Sequence, residues 1–187
     1  MTAGLHPTRQ ALIDALHQAR DRGKAEIIDG EIVLISPTGG KPSRVSGLIF
    51  AALLAYERQS GRGTALPNNA GFLVNLSRRG SFSPDAAFVV GKVLDAEFID
   101  GAPIFAVEVR SKHDYGPAAE RTLRTKIADY FAAGTLVVWD VDALRDRVIR
   151  VYRADAPEAP VEYAPGDNAE AEPALPGWRV PVADLLD

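Results

Sequence analysis

Apolar residues recur with two different periods along the chain, and the switches between them predict its elements. Over 8–22, Leu12, Leu16 and Ala19 return at helical spacing, with Thr8 placed to cap the start and Gly23 to end it. Two β-branched runs follow, Ala25-Glu-Ile-Ile and Glu31-Ile-Val-Leu-Ile, split by Asp29-Gly30, the dipeptide that favours a tight primed hairpin turn. A loop over 36–42 leads to a second helix over 43–60, with Val45, Ile49, Leu53 and Tyr56 on one stripe and Gly61 and Gly63 beyond its end. Short apolar runs then predict strands over 71–76, 84–90 and 104–110, with a polar, arginine-bearing loop at 77–83. Pro117 opens a third helix that runs to 133, where Gly134 stops it. Strands over 135–141 and 147–152 flank a turn at 142–146. The acidic, Pro- and Ala-rich stretch 154–178 reads as irregular and exposed, and a short helix over 181–186 follows it. This order predicts a single α/β domain across 1–187, with one central mixed sheet covered by helices and both tryptophans, Trp139 and Trp178, in the core.

Composition narrows the chemistry. The 187 residues are 47% apolar and 25% charged, an ordinary globular balance with room for a core. No cysteine is present, which excludes disulfides, thiolate metal sites and cysteine nucleophiles and suits a reducing cytoplasm. Three histidines (His6, His17 and His113) are too few for a histidine-built centre. A metal would therefore rest mainly on carboxylates, which points to a hard cation. The longest apolar run, 47–56, is too short to span a bilayer, and no basic-then-apolar leader opens the chain. Net charge is −4, but 154–178 holds six acids and no Lys or Arg, leaving 21 basic against 19 acidic residues elsewhere. The body is mildly basic, so whole-chain charge does not argue against a nucleic-acid partner.

Phosphate-loop and hydrolase motifs fail. Thr38-Gly39-Gly40-Lys41-Pro42-Ser43 has Ile35 in the first glycine slot and Pro42 in the Ser/Thr slot. Gly61-Arg62-Gly63 lacks a third glycine at dinucleotide spacing, and there is no Gly-x-Ser-x-Gly elbow. What stands out instead is charge embedded in apolar strands. Glu108 lies inside Phe105-Ala-Val-Glu-Val, where a lone carboxylate is costly unless paired, protonated or metal-bound. Asp85 opens a second such strand after Pro84, and alternation puts it on the face of Ala87 and Val89, as Glu108 is on that of Ile104 and Ala106. Two carboxylates on neighbouring strands can converge on one hard cation; alternatively, Asp85 caps a turn and Glu108 pairs with Arg110. Lys126, at the margin of the stripe Leu123, Ile127, Tyr130 and Phe131, either reaches back to the Glu108 strand or lays its stem along the core.

Pro84-Asp85 followed by Glu108-Val109-Arg110 on the next strand resembles the PD-(D/E)xK nuclease superfamily, and within it the Uma-type restriction endonuclease family. The resemblance runs from Glu26 to Leu186 and includes Glu26-Ile-Ile-Asp-Gly-Glu-Ile-Val, Ala106-Val-Glu-Val-Arg-Ser, Val138-Trp139-Asp140-Val141-Asp142 and Ala174-Leu-Pro-Gly-Trp-Arg-Val-Pro-Val. It implies a restriction-endonuclease-like fold, a homodimer, and Mg²⁺- or Mn²⁺-dependent hydrolysis of DNA. Carried over by position, Asp85 and Glu108 would hold the metal, aided by the Val109 carbonyl. Lys126 would replace the superfamily lysine from the following helix, and Glu26 would be an additional acid in the site. The usual lysine slot holds Arg110, which cannot act as a base, so activity would rest on Lys126 or Lys112. Where relatives often carry a histidine, this chain reads Lys41-Pro42-Ser43-Arg44.

The charge pattern then suggests a mechanism. The cation would neutralise developing charge and acidify a water, while Lys126 orients that water or stabilises the transition state. Arg110, Lys112, Arg121 and Arg124, with Arg78 and Arg79 on the earlier loop, are candidates for the flanking phosphates. An RNA hydrolase and a non-catalytic binding domain that keeps the fold are the competing readings.

Overall fold

A computed structural model of the chain describes residues 7–91 and 97–187; His6 lies outside them. Helix α1 (Arg9–Ala19) starts where Thr8 Oγ1 accepts the Ala11 N–H at 3.2 Å, and it ends in a single 3-10 turn at Arg20–Arg22. Strands β1 (Ala25–Ile28) and β2 (Glu31–Leu34) form the expected hairpin. Asp29 (φ 50°) and Gly30 (φ 78°) both adopt the left-handed conformation a primed turn requires. Helix α2 (Gly40–Ser60) begins three residues before its expected start. Pro42 sits in its first turn, where a missing N–H costs no hydrogen bond, so the proline does not mark a loop.

The chain continues through β3 (Thr64–Pro67), β4 (Phe72–Leu73), β5 (Ser81–Phe82), β6 (Ala86–Val89), β7 (Ile99–Asp100) and β8 (Phe105–Val109). Helix α3 (Pro117–Ala132) then leads into β9 (Val137–Asp142), β10 (Val148–Arg153), β11 (Ala156–Tyr163), β12 (Asn168–Glu170), β13 (Arg179–Pro181) and α4 (Val182–Leu186). The main sheet has the order β11-β10-β9-β8-β6-β3. Within this sheet β8 and β9 run parallel and the other described pairs antiparallel, and α3 supplies the crossover that a parallel pair needs. The short strands β4, β5 and β7 form a separate small sheet.

Two expectations require correction. The stretch 154–178 is not irregular: it contains β11 and β12, and its acids are partly answered by β10, where Arg150 meets Glu162 at 3.1 Å and Arg153 pairs with Glu170. The loop 77–83 contains β5, while the strand expected over 71–76 contracts to β4.

Helices cover both faces of the main sheet. On one side Val45, Ile49 and Leu53 of α2 pack with Phe105, Val107 and Trp139, and Trp178 stacks on Trp139 at 5.1 Å between ring centroids. Both tryptophans are buried. On the other side Ile127 and Tyr130 of α3 pack with Ala87, Ala106 and Val138. Side chains alternate along a strand, so Glu108 shares this α3 side with Ala106.

Candidate active site

Contacts between the start of β6 and the end of β8 bring the first two acids together. β6 and β8 are antiparallel, with Ala86 opposite Val107 and Ala87 opposite Ala106; Asp85, the residue before β6, lies close enough to Glu108 for its charge to act on that carboxyl. The Asp85 backbone is held on both sides. Its N–H donates to the Val107 carbonyl at 2.9 Å, and Ser46 Oγ of α2 donates to its carbonyl at 2.7 Å. Its Oδ2 accepts the Val109 N–H at 2.8 Å.

Two facing carboxylates repel unless cations answer them. Lys126 and Tyr130 lie four apart on α3 and therefore stack on one face of it. The Lys126 ammonium reaches Glu108 Oε1 at 2.8 Å and Oε2 at 2.9 Å, and the Tyr130 hydroxyl donates to Oε1 at 2.7 Å. Glu108 therefore pairs across to α3 and not along its own strand with Arg110. Phe82 stacks on the Tyr130 ring at 3.9 Å between centroids, which fixes the hydroxyl's direction.

The hairpin contributes from a third side. Glu26 is 2% exposed; its Oε1 meets Lys126 Nζ at 2.9 Å and accepts the Ser83 N–H at 2.9 Å. Its Oε2 pairs with Arg79 at 2.8 Å, and Arg79 Nε reaches Asp129 at 2.7 Å. Arg79, expected on a solvated loop, is 4% exposed and spent on these two carboxylates, so it is not free for a phosphate. Lys24, two residues before Glu26, reaches Asp85 Oδ1 at 2.8 Å and Asn68 Oδ1 at 3.0 Å. Sequence reasoning missed Lys24, because it flanks a short edge strand and carries no periodic signal.

The electrostatics of the cluster follow from burial against pairing. Burial pushes the Glu108 carboxyl up, assisted by the Asp85 charge and opposed by Lys126 and Lys24. At Glu26 burial pulls the same way, but Lys126 and Arg79 outweigh it and the carboxyl lies below its usual range. Burial alone would lower the Lys126 ammonium, yet Glu108 and Glu26 raise it above the ordinary lysine value.

Arg110 is 6% exposed and spent elsewhere. It forks onto Asp140 with Nε–Oδ1 and Nη2–Oδ2 both at 2.7 Å, and it also holds Glu120. Asp140, fully buried on β9 beside Glu108, gave the same signal as Glu108: a lone carboxylate in an apolar strand. Lys112, Arg121 and Arg124 are exposed, and Arg124 lines a shallow cavity with Ile127, Tyr152 and Pro157. Among the described residues no three His, Asp or Glu side chains gather into a ready-made metal cage. Two facing carboxylates are nevertheless a donor set that Mg²⁺ or Mn²⁺ uses when water and a phosphate supply the remaining ligands.

Comparison with known proteins agrees with this architecture. The model of the Uma2 family, described as "Putative restriction endonuclease", matches residues 12–183, and the chain belongs to that family. Among solved structures it is similar to one described as "a putative nuclease belonging to DUF820" from Anabaena variabilis. The TM-score is 0.70 at 17% identity, over 87% of this chain and 89% of that one. The fold is thus a nuclease-like mixed α/β fold. No curated protein matches the chain. Among the described residues no helix is long and apolar enough to cross a membrane.

Proposed function

We propose that this chain is a Mg²⁺- or Mn²⁺-dependent endonuclease that hydrolyses DNA phosphodiester bonds, with Asp85 and Glu108 as the metal-holding residues. The observation that carries the reading is the closeness of these two acids at the β6 and β8 ends, where Asp85 takes the Val109 N–H and acts on the Glu108 charge, with Lys126 anchored at Glu108. A divalent cation bound there would supply charge neutralisation at the phosphate and acidify an attacking water.

The chain's own groups divide the remaining work. Val109 N–H and Ser46 hold Asp85 in place before any substrate arrives. Tyr130 and Lys126 orient Glu108. Lys126, ion-paired with Glu108 and Glu26, serves as a hydrogen-bond donor that orients water or stabilises the charged transition state. Glu26, saturated by Arg79, Ser83 and Lys126, positions that ammonium. Lys112, Arg121 and Arg124 are the exposed cations for flanking phosphates. Arg110 is left out of that role because its N–H groups are already taken.

The test is cleavage of supercoiled plasmid with Mg²⁺ or Mn²⁺ by the wild type, Asp85→Ala, Glu108→Ala and Lys126→Ala. The two acid variants should lose cleavage, and cleavage that survives both would sink the site. Lys126→Ala should keep metal uptake by calorimetry while turnover falls by about a hundredfold or more, the scale of losing one transition-state donor. Arg110 locked in the lysine slot favours a second reading, a non-catalytic nucleic-acid-binding domain. Under that reading DNA binding would persist with neither metal uptake nor cleavage.

A further inference from the structure

The hairpin sends alternate residues, Lys24 and Glu26, into the site, and each closes on a different part of it. Glu26 holds Lys126, whereas Lys24 holds Asp85. Asp85 and Glu108, with Lys24 and Lys126, make a four-charge cluster that sums to zero. Each of these two acids already carries an ammonium, so a dication that settles between the carboxylates competes with one of them. The two lysines are not equivalent in this respect. Lys126 is gripped by two carboxylates, Glu26 and Glu108, while Lys24 has one, Asp85, and its other partner is the neutral amide of Asn68. Lys24 Nζ also sits on Oδ1, the Asp85 oxygen that does not accept the Val109 N–H. A metal taking Oδ1 would therefore take it from Lys24.

We infer that Lys24 is a built-in counter-cation of the metal-free site, which neutralises Asp85 and is displaced toward Asn68 when a divalent cation binds. Lys24 thereby sets the affinity of the site: it preserves the packing of two facing acids without metal, and it competes with the metal for Asp85. The role is a positioning one and rests on the reading of Asp85 and Glu108 as metal-holding residues. It differs from the role of Lys126, whose loss is expected to spare metal binding and remove turnover.

The experiment is Mn²⁺ titration by calorimetry on the wild type, Lys24→Met, Lys24→Gln and Lys24→Arg, with metal-free and metal-saturated melting curves. Without a competing cation, the Met and Gln variants should bind Mn²⁺ on the order of tenfold more tightly, while Arg, which keeps the charge, stays near wild type. The Met and Gln variants should also melt lower without metal and gain more on saturation, because tighter ligand binding to the folded state stabilises it further. Lys24→Gln keeps a neutral polar donor at this position and decides the matter if the Met variant does not fold. Equal or weaker Mn²⁺ affinity in Lys24→Gln, beside a wild type that binds, overturns the counter-cation role and leaves the nuclease reading standing. No Mn²⁺ binding in the wild type or any variant overturns both.

Discussion

Arg110 illustrates how one residue can be displaced from an expected role by a partner distant in sequence. It occupies the slot where the superfamily resemblance calls for lysine, yet its guanidinium braces β8 to β9 through Asp140 and to α3 through Glu120. A planar fork with five donors suits this double pairing, and an ammonium does not. Arg110→Lys should therefore lower stability by about 3–5 kcal/mol, the range for breaking a buried pair, read as a shift in urea midpoint at constant slope. Arg110→Met combined with Asp140→Leu should recover much of that loss, since the buried pair goes together, Glu120 is partly exposed and Arg150 keeps Asp146 and Glu162. Recovery no better than the single variant would mean that Glu120, and not Asp140, dominates the brace. Asp85, Glu108 and Lys126 were legible as candidates because each breaks an apolar pattern in its own segment. Lys24 and Arg79 were not, because their meaning lies in contacts 61 and 53 residues away that no local pattern encodes.

At the scale of elements, what the sequence revealed depended on burial. Helices α2 and α3 and strands β8 and β9 each bury one face or both, whereas the hairpin, whose β2 is largely exposed, was legible from its Asp29-Gly30 turn. Strand β11 has almost every residue exposed and two internal prolines, and such a strand survives at a sheet edge without a hydrophobic signature. β3 was missed for a related reason, being four residues at the opposite edge. The approach to β3 makes a sharp test of how the sheet end is built. Gly61 and Gly63 both have φ near +60°, but a Cβ at Gly61 meets open space, whereas at Gly63 it falls 2.0 Å from the Val89 carbonyl oxygen. Gly61→Ala should cost only the left-handed strain, about 1–2 kcal/mol. Gly63→Ala should cost clearly more, because β3 must separate from β6 where Thr64 faces Val89. Thermal unfolding of the two variants side by side checks this, and equal losses would mean that the strand end yields without resistance.

Across the whole molecule, the site is also a fastening point, which ties its chemistry to acid stability. The hairpin through Glu26, the 77–83 segment through Arg79 and α3 through Lys126 and Asp129 meet at one buried carboxylate. Glu26 titrates below its ordinary value of 4.5 in the folded chain, because Lys126 and Arg79 overcome the cost of burial. A depressed folded value means the stabilisation is present above the unfolded value and is lost as pH falls below it. Glu120 and Asp142 act in the same direction, against burial: Glu120 through its hydrogen bond to Arg110, and Asp142 through the Arg145 N–H and the Tyr115 hydroxyl. Glu108 and Asp140, which burial raises, act oppositely: their contribution is present at low pH and lost as pH rises through their folded values. Glu26→Gln isolates one member of this balance. At neutral pH it should be less stable than the wild type by about 3–5 kcal/mol, since Arg79 and Lys126 each lose a buried partner. As pH falls below about 4.5 the two curves should converge, because a protonated Glu26 and a glutamine are nearly the same group. Urea midpoints measured from pH 7 down to pH 3 check this, and a gap that stays constant over that range would mean that the carboxylate charge at position 26 does not hold the hairpin to the sheet.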